Sequence, residues 1–397
     1  MSDGTSDRVA VAHFLRFHPR ASENPKLLLS RLAAQDLGSA SRLSSMRLNR
    51  EDLSAAAQRR LARLLDSVPD SAATRFAGGP RSVDGQVLDP HLALLITVDE
   101  RIRPPEAVTS VQEQRAINLS AARIAAGTPI AVGPIRDLTI QGAAGPLRAR
   151  HYTPPTLGTD RPLVVFFHGG GWVVGSVDSH DQPCRLISRY ADVHVLSVDY
   201  RLAPEHPFPA AVDDGLAAYR WARDNAATLG VRSSKIAVAG DSAGGNIAAV
   251  ICQSTRDQGI TPPAAQLLIY PATDGSVDRP SKDLFGEGFF LSRPQMDTYW
   301  DTYRVDAPHD DPRLSPLCAD NLAELAPALI AVAAMDPLRD EGEAYGAALR
   351  AAGVPVTTRR AAGLVHGFFS MTGIHRASFD ESIAIAGAFG ALLDLID

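Results

Sequence analysis

Apolar positions change their spacing more than once along this 397-residue chain. Over residues 48–65 they recur at helical intervals, with Leu53, Ala57, Leu61 and Leu64 on one face and Arg59, Arg60 and Arg63 turned away from it. Asn49 is placed to cap that helix. Leu27, Leu28, Leu29 and Leu32 mark a shorter helix before it, and Ala77-Gly78-Gly79-Pro80 reads as a linker. Residues 88–126 return to a helical pattern, broken over 101–105. The period then falls to two. Residues 135–140 and 147–152 alternate apolar with polar, as half-exposed strands do, and 142–146 between them read as a hairpin turn.

Further on the alternation gives way to continuous apolar runs at 163–167, 193–198, 236–239, 266–270 and 328–334. Helical stretches separate them, among them 210–225 and 339–352. A strand with no polar face is buried on both sides, so helices must cover the sheet twice. The pattern predicts an α/β fold with a mainly parallel central sheet of about eight strands, made mixed by the opening antiparallel pair.

Composition narrows what such a sheet can serve. The chain is 45% apolar, ample for a large core, and its net charge of −6 gives no footprint for nucleic acid or an anionic membrane. Cys184, Cys252 and Cys318 lie far apart without metal-ligand spacing and read as small apolar residues of a reducing compartment. The first residues lack the basic start and apolar run of a signal peptide, and no stretch approaches a membrane span. A cytoplasmic protein without metal or cofactor is expected.

The chemistry concentrates around Gly240-Asp241-Ser242-Ala243-Gly244-Gly245, between the apolar run Ile236-Ala237-Val238-Ala239 and the alanine-rich helix that opens at Asn246. Gly-x-Ser-x-Gly between strand and helix is a nucleophile elbow. The turn is so tight that only glycine fits at Gly240 and Gly244, and Ser242 is held strained with its hydroxyl above the sheet. Upstream, Phe167-His168-Gly169-Gly170-Gly171-Trp172 ends the first buried strand. Consecutive glycines let backbone N–H groups approach a ligand, so Gly170 and Gly171 are expected to act as oxyanion donors with the N–H of Ala243. His168 reads as a residue that fixes this loop rather than a base.

These motifs, together with Asp199-Tyr200-Arg201-Leu202-Ala203-Pro204-Glu205, Asp336-Pro337-Leu338-Arg339-Asp340-Glu341 and His366-Gly367-Phe368, resemble the hormone-sensitive-lipase-like esterases of the α/β-hydrolase fold. The likeness runs from about Leu88 to the C-terminus, and the Gly-Asp-Ser-Ala-Gly elbow matches one of that family's two branches. Residues 1–85 depart from the compact family pattern and read as an N-terminal helical extension, while 86–130 are expected as cap helices and 131–397 as the catalytic domain, with a further cap contribution from about 280–305.

A serine hydroxyl needs a base within hydrogen-bond reach, itself oriented by a third group. Along α/β-hydrolase chains the order is serine, acid, histidine. Of eleven histidines only His309, His366 and His375 follow Ser242. His309 precedes the favoured acid and His375 sits where the last helix begins, which leaves His366, in a loop after a strand-like stretch at 354–358. Asp336 and Asp274 both end apolar strands; Asp336 is favoured, with Asp274, Asp340 and Glu341 as alternatives. Phe289, Phe290 and Trp300 lie in the stretch that walls the acyl pocket in the resembling family, and Trp172 is placed to bound the alcohol side.

The expectation is therefore a carboxylic-ester hydrolase working through an acyl-enzyme, and the family resemblance implies uncharged short- to medium-chain acyl esters as its substrates. Plant gibberellin receptors resemble the same family but lack the histidine, and an acyltransferase or amidase would keep it. The partner is a small-molecule ester, and the extension leaves a homodimer open.

Overall fold

The computed structural model describes residue 63 and residues 66–102, 110–156 and 161–396. The helices expected around 27–32 and 48–65 lie, apart from Arg63, outside the described residues. A short helix, α1 (Asp70–Phe76), leads into a hairpin of β1 (Ser82–Val83) and β2 (Gln86–Val87). The turn falls on Asp84 and Gly85, both at positive φ, so the boundary expected at residue 85 sits at the tip of a hairpin. Helices α2 (Pro90–Ile102) and α3 (Val111–Ala126) follow, on either side of the predicted break. Ser110 and Glu113 form a capping box that starts α3.

The sheet opens with β3 (Ile135–Gln141) and β4 (Pro146–Tyr152), paired antiparallel in full register. Strand β5 (Leu163–Phe167), helix α4 (Asp181–Tyr190), β6 (His194–Val198), α5 (Ala210–Asp224), β7 (Ile236–Asp241), α6 (Ala243–Asp257) and β8 (Gln266–Ile269) continue it. Two helices, α7 (Pro280–Phe285) and α8 (Arg293–Arg304), then precede β9 (Ala328–Met335), α9 (Arg339–Ala351), β10 (Val356–Val365) and α10 (Arg376–Asp394). The strand order is β10-β9-β8-β7-β5-β6-β4-β3, eight strands of which β5 to β10 are mutually parallel. Strands β5, β6, β7, β8 and β9 are buried at every position, which is why their apolar runs carry no alternation. Side chains of alternate strand positions feed two cores. Helices α5, α6 and α9 close one, and α2, α4 and α10 close the other.

Strand β10 extends seven residues past the stretch legible in the sequence, through the polar Arg359 and Arg360, to Val365. The two arginines pair with Glu381 and Glu343. Such an edge strand takes its pairing from β9 rather than from its own hydrophobicity. His366 is the first residue beyond it.

Candidate active site

The elbow is enforced by contact distances. A Cβ on Gly240 would stand 2.2 Å from the Gly244 backbone, and one on Gly244 would stand 1.9 Å from the Phe167 carbonyl oxygen. Ser242 takes φ 54° and ψ −121°, a region that costs a non-glycine residue about 1–3 kcal/mol and persists only where neighbours over-determine it. Its N–H donates to Ile269 O at 2.8 Å, while its carbonyl accepts from Asn246 N and Ala272 N. Asn246 in turn donates to Ala272 O and Leu314 O, tying the elbow to the chain beyond β8.

Three strand ends bring the polar groups together. His366 Nε2 lies 3.0 Å from Ser242 Oγ, and His366 Nδ1 lies 2.8 Å from Asp336 Oδ2. As a carboxylate Asp336 can only accept, so the Nδ1 proton points to it and Nε2 is left to accept from the serine. Leu338 N–H donates to the other oxygen of Asp336, which is fully buried. Asp274, the alternative acid, is engaged elsewhere: it accepts from Arg279 at 2.8 Å and from Ser276. Burial would raise its pKa, but those bonds outweigh the burial and hold it low. Asp340 accepts from Ser281 N and Arg339, and Glu341 from Thr273 N. Neither is bonded to His366.

The glycine loop is shaped from outside itself. Gly170, Gly171 and Trp172 have φ of 117°, 59° and 59°, three left-handed residues in succession. Among the described residues, the N–H groups of Gly170, Gly171 and Ala243 donate to no backbone carbonyl. Ala243 also opens α6, so its N–H sits at the positive end of that helix. Asp241, the x of Gly-x-Ser, accepts from Gly169 N at 2.8 Å and lies 3.3 Å from His180 Nε2. Burial would push its carboxyl up, but His180 and the Gly169 N–H outweigh that and keep it below the usual range. His168 is buried, its Nδ1–H donates to Gly169 O, and burial with His180 nearby drives its pKa down to about 3. It fixes the loop as a neutral ring, as its position suggested.

The aromatic residues divide between the two cores. Trp172 stacks on Tyr303 with centroids 4.6 Å apart and meets Trp300 edge-on at 4.9 Å. Phe289 instead packs edge-on against Phe285, and Phe290 lies with it against the core of the opposite sheet face. Trp172 and Trp300 are thus brought together, and the two phenylalanines are not in their cluster. Tyr299 lies against the glycine loop: a Cβ on Gly171 would stand 2.3 Å from its ring. Tyr299 neighbours Trp300 in the aromatic stripe, and only the angle of α8 decides which of the two faces Gly171. Tyr270 is another neighbour the pattern did not single out; its ring lies 4.6 Å from that of His366. Among the described residues no cluster of three or more His, Cys, Asp or Glu could hold a metal ion, and no helix is long and apolar enough to cross a membrane.

A serine, histidine and aspartate gathered at the strand ends of a mainly parallel sheet define a hydrolase of the α/β type. Residues 164–370 match the family described as the α/β-hydrolase fold, and the chain belongs to that family. Its relatives place it among the hormone-sensitive-lipase-like esterases. It is 48% identical over 314 residues to the carboxylic ester hydrolase LipN of Mycobacterium tuberculosis, covering 75% of this chain and 82% of that one. It is 37% identical over 302 residues to an ethyl acetate hydrolase of Pseudomonas putida, covering 72% and 93%. Among solved structures it is similar to the hyperthermophilic esterase of the archaeon Pyrobaculum calidifontis, with TM-score 0.72 and 38% identity over 77% of this chain and 98% of that one.

Proposed function

We propose that the protein hydrolyses uncharged carboxylic esters of short to medium acyl chain through an acyl-enzyme on Ser242. Ser242 Oγ attacks the ester carbonyl carbon while His366 Nε2 takes its proton. The oxyanion accepts from the N–H groups of Gly170, Gly171 and Ala243, where donors meet charge that is absent in the ground state. Collapse expels the alcohol, which leaves with the proton held on Nε2. Water then gives a proton to Nε2 and attacks the acyl carbonyl; the bond to Oγ breaks, the Nε2 proton passes to Ser242 Oγ, and the acid leaves. Asp336 holds the tautomer of His366 and stabilises the imidazolium in both halves. Every step runs on these side chains, backbone donors and water.

The observation that carries this reading is the unbroken relay at 3.0 and 2.8 Å from Ser242 through His366 to Asp336. The same relay speaks against a receptor that binds without turnover. That one relative is named an ethyl acetate hydrolase supports a small acyl group in the substrate of this chain. In this reading 86–130 and about 280–305 form the cap over a 131–397 catalytic domain, Trp172 and Trp300 bound the substrate, and a homodimer is the assembly to look for.

A fluorophosphonate probe is expected to label one serine, and Ser242→Ala should abolish the labelling and the hydrolysis of p-nitrophenyl acetate. Full labelling of the Ser242→Ala protein would refute the assignment. Product analysis with water and an added alcohol as competing acceptors separates hydrolysis from acyl transfer.

A further inference from the structure

Helix α3 buries no side chain completely, yet one of its residues reaches two loops beside the elbow. Arg115 Nε donates to Val173 O at 2.9 Å, and Nη2 donates to Ala203 O at 3.0 Å. Nη1 and Nη2 donate to the two oxygens of Glu205 at 2.9 and 2.6 Å. Four of the five N–H groups of the planar guanidinium are therefore used, in directions only that fork supplies. The carbonyls it takes belong to Val173 and Ala203, which are buried.

Both acceptors adjoin the left-handed run. Val173 N and Val174 N donate back to Gly170 O, closing a turn over 170–174. Ala203 N donates to Trp172 O at 2.9 Å, binding the second loop to the first. Three successive left-handed residues do not hold themselves in place, and two of them carry the proposed oxyanion donors. Arg115 takes up the outward carbonyl of this turn and the neighbouring carbonyl of the loop that supports it. Glu205, held below its usual carboxylate pKa by the bond to Arg115, completes the fork.

We infer that Arg115 is a positioning residue for the oxyanion loop, through which cap helix α3 fixes the backbone of residues 170–174. The inference rests on the assignment of Gly170 and Gly171 as oxyanion donors. Arg115 touches no reacting atom in this scheme; it acts through Val173 and Ala203. Displacing a preorganised donor by a fraction of an ångström weakens the transition state far more than the ground state.

The test uses the full chain with p-nitrophenyl butyrate and with an alkyl boronic acid, whose adduct on the serine places an oxygen where the oxyanion forms. Arg115→Ala should lose about ten- to hundredfold in kcat and the same factor in boronate affinity, with KM within about threefold. Arg115→Lys should stay impaired, because one ammonium cannot serve both carbonyls and Glu205 in the directions of the fork. Glu205→Gln, which leaves the two carbonyl bonds, should remain within about threefold of wild type. Ser110→Ala, which removes the N-cap of the same helix, controls for stability: Tm should fall while boronate affinity holds. Should Arg115→Ala fail to fold, Arg115→Lys decides alone. Folded Arg115 variants with wild-type kcat and boronate affinity overturn the inference. So does full rescue by lysine, or a kcat loss with boronate affinity unchanged. If boronate binds wild type and Ser242→Ala equally, no adduct forms on Ser242 and the acyl-enzyme reading itself fails, independently of Arg115.

Discussion

Asp336 uses each of its carboxylate oxygens for a different partner, Leu338 N–H and His366 Nδ1. An asparagine can satisfy only one of them as an acceptor, so Asp336→Asn must set an NH₂ against the other. The corresponding change in a serine protease lowers kcat by about 10⁴, roughly 5 kcal/mol. Asp336→Asn should show a loss of that order with KM and fold near wild type. Asp274→Asn should cost thermal stability, because Arg279 loses its partner, while kcat stays within about tenfold. A folded, inactive Asp274→Asn beside an active Asp336→Asn would move the acid to the earlier strand. Glu341 offers a second single-residue test. Burial raises its pKa to about 8, against the pull of Lys282 and the Thr273 N–H. The unfolded chain gives up this proton from its ordinary value of 4.5 upward, whereas the folded one keeps it until about pH 8. The contribution to stability is therefore full below pH 4.5 and lost as the pH rises through about 8. Glutamine mimics the protonated acid, so Glu341→Gln should raise Tm over wild type at about pH 9 and leave it nearly unchanged near pH 4.5. Equal melting curves at the higher pH would show that the folded protein holds Glu341 ionised.

Two helix starts share one hydrogen bond. Asp89 accepts from His91 N and Leu92 N at the start of α2 and, through the same Oδ1, from His375 Nε2 at 3.0 Å. His375 accepts from Ser378 N with Nδ1 and so caps α10 in the complementary tautomer. Asp89 N also donates to Gly363 O, which makes Asp89 a clasp on both sides of the segment that carries His366. Burial would raise the Asp89 carboxyl, but the hydrogen bonds from His375, Leu92 N and His91 N hold it below its usual value. Asp89→Ala should lower stability by about 1–2 kcal/mol and reduce kcat as the His366 segment loosens. Asp89→Asn, still an acceptor and a good cap, should restore most of both. Thermal melts and kcat for the pair measure this, and an alanine variant with wild-type kcat would confine Asp89 to capping.

Across the whole molecule, the segment before α2 is joined to the acid-bearing turn. Asp84 pairs with Arg339 at 2.9 Å, and Arg81 donates to Gly288 O and Thr97 Oγ1. Arg339 is only 5% exposed, so removing Asp84 takes one partner from a buried cation. A chain beginning near Val87 should still hydrolyse a small soluble ester, but with lower Tm than one beginning near Asp66, which retains the hairpin. If the shorter chain folds by circular dichroism yet hydrolyses nothing, the segment before residue 87 carries part of the site.

The sequence by itself determined the sheet and the order of the chemistry. Runs with no polar face had to be buried on both sides, and Gly240 and Gly244 could belong only to a turn too tight for a Cβ. Chain order isolated His366 among the histidines. It left Asp336 and Asp274 both at strand ends, because strand register alone does not say which carboxylate faces the imidazole. Three-dimensional proximity decided that, by giving Asp274 to Arg279 and Asp336 to His366. Tertiary structure also parted Phe289 and Phe290 from Trp172 and set Tyr299 over Gly171, since helical spacing fixes a stripe but not the direction in which the helix lies. Arg115 and Asp89 were illegible for a related reason. Each acts through distant partners, from 58 positions away for Arg115 and Val173 to 286 for Asp89 and His375, and a surface arginine or a capping aspartate carries no periodic signal of what the fold will bring to meet it.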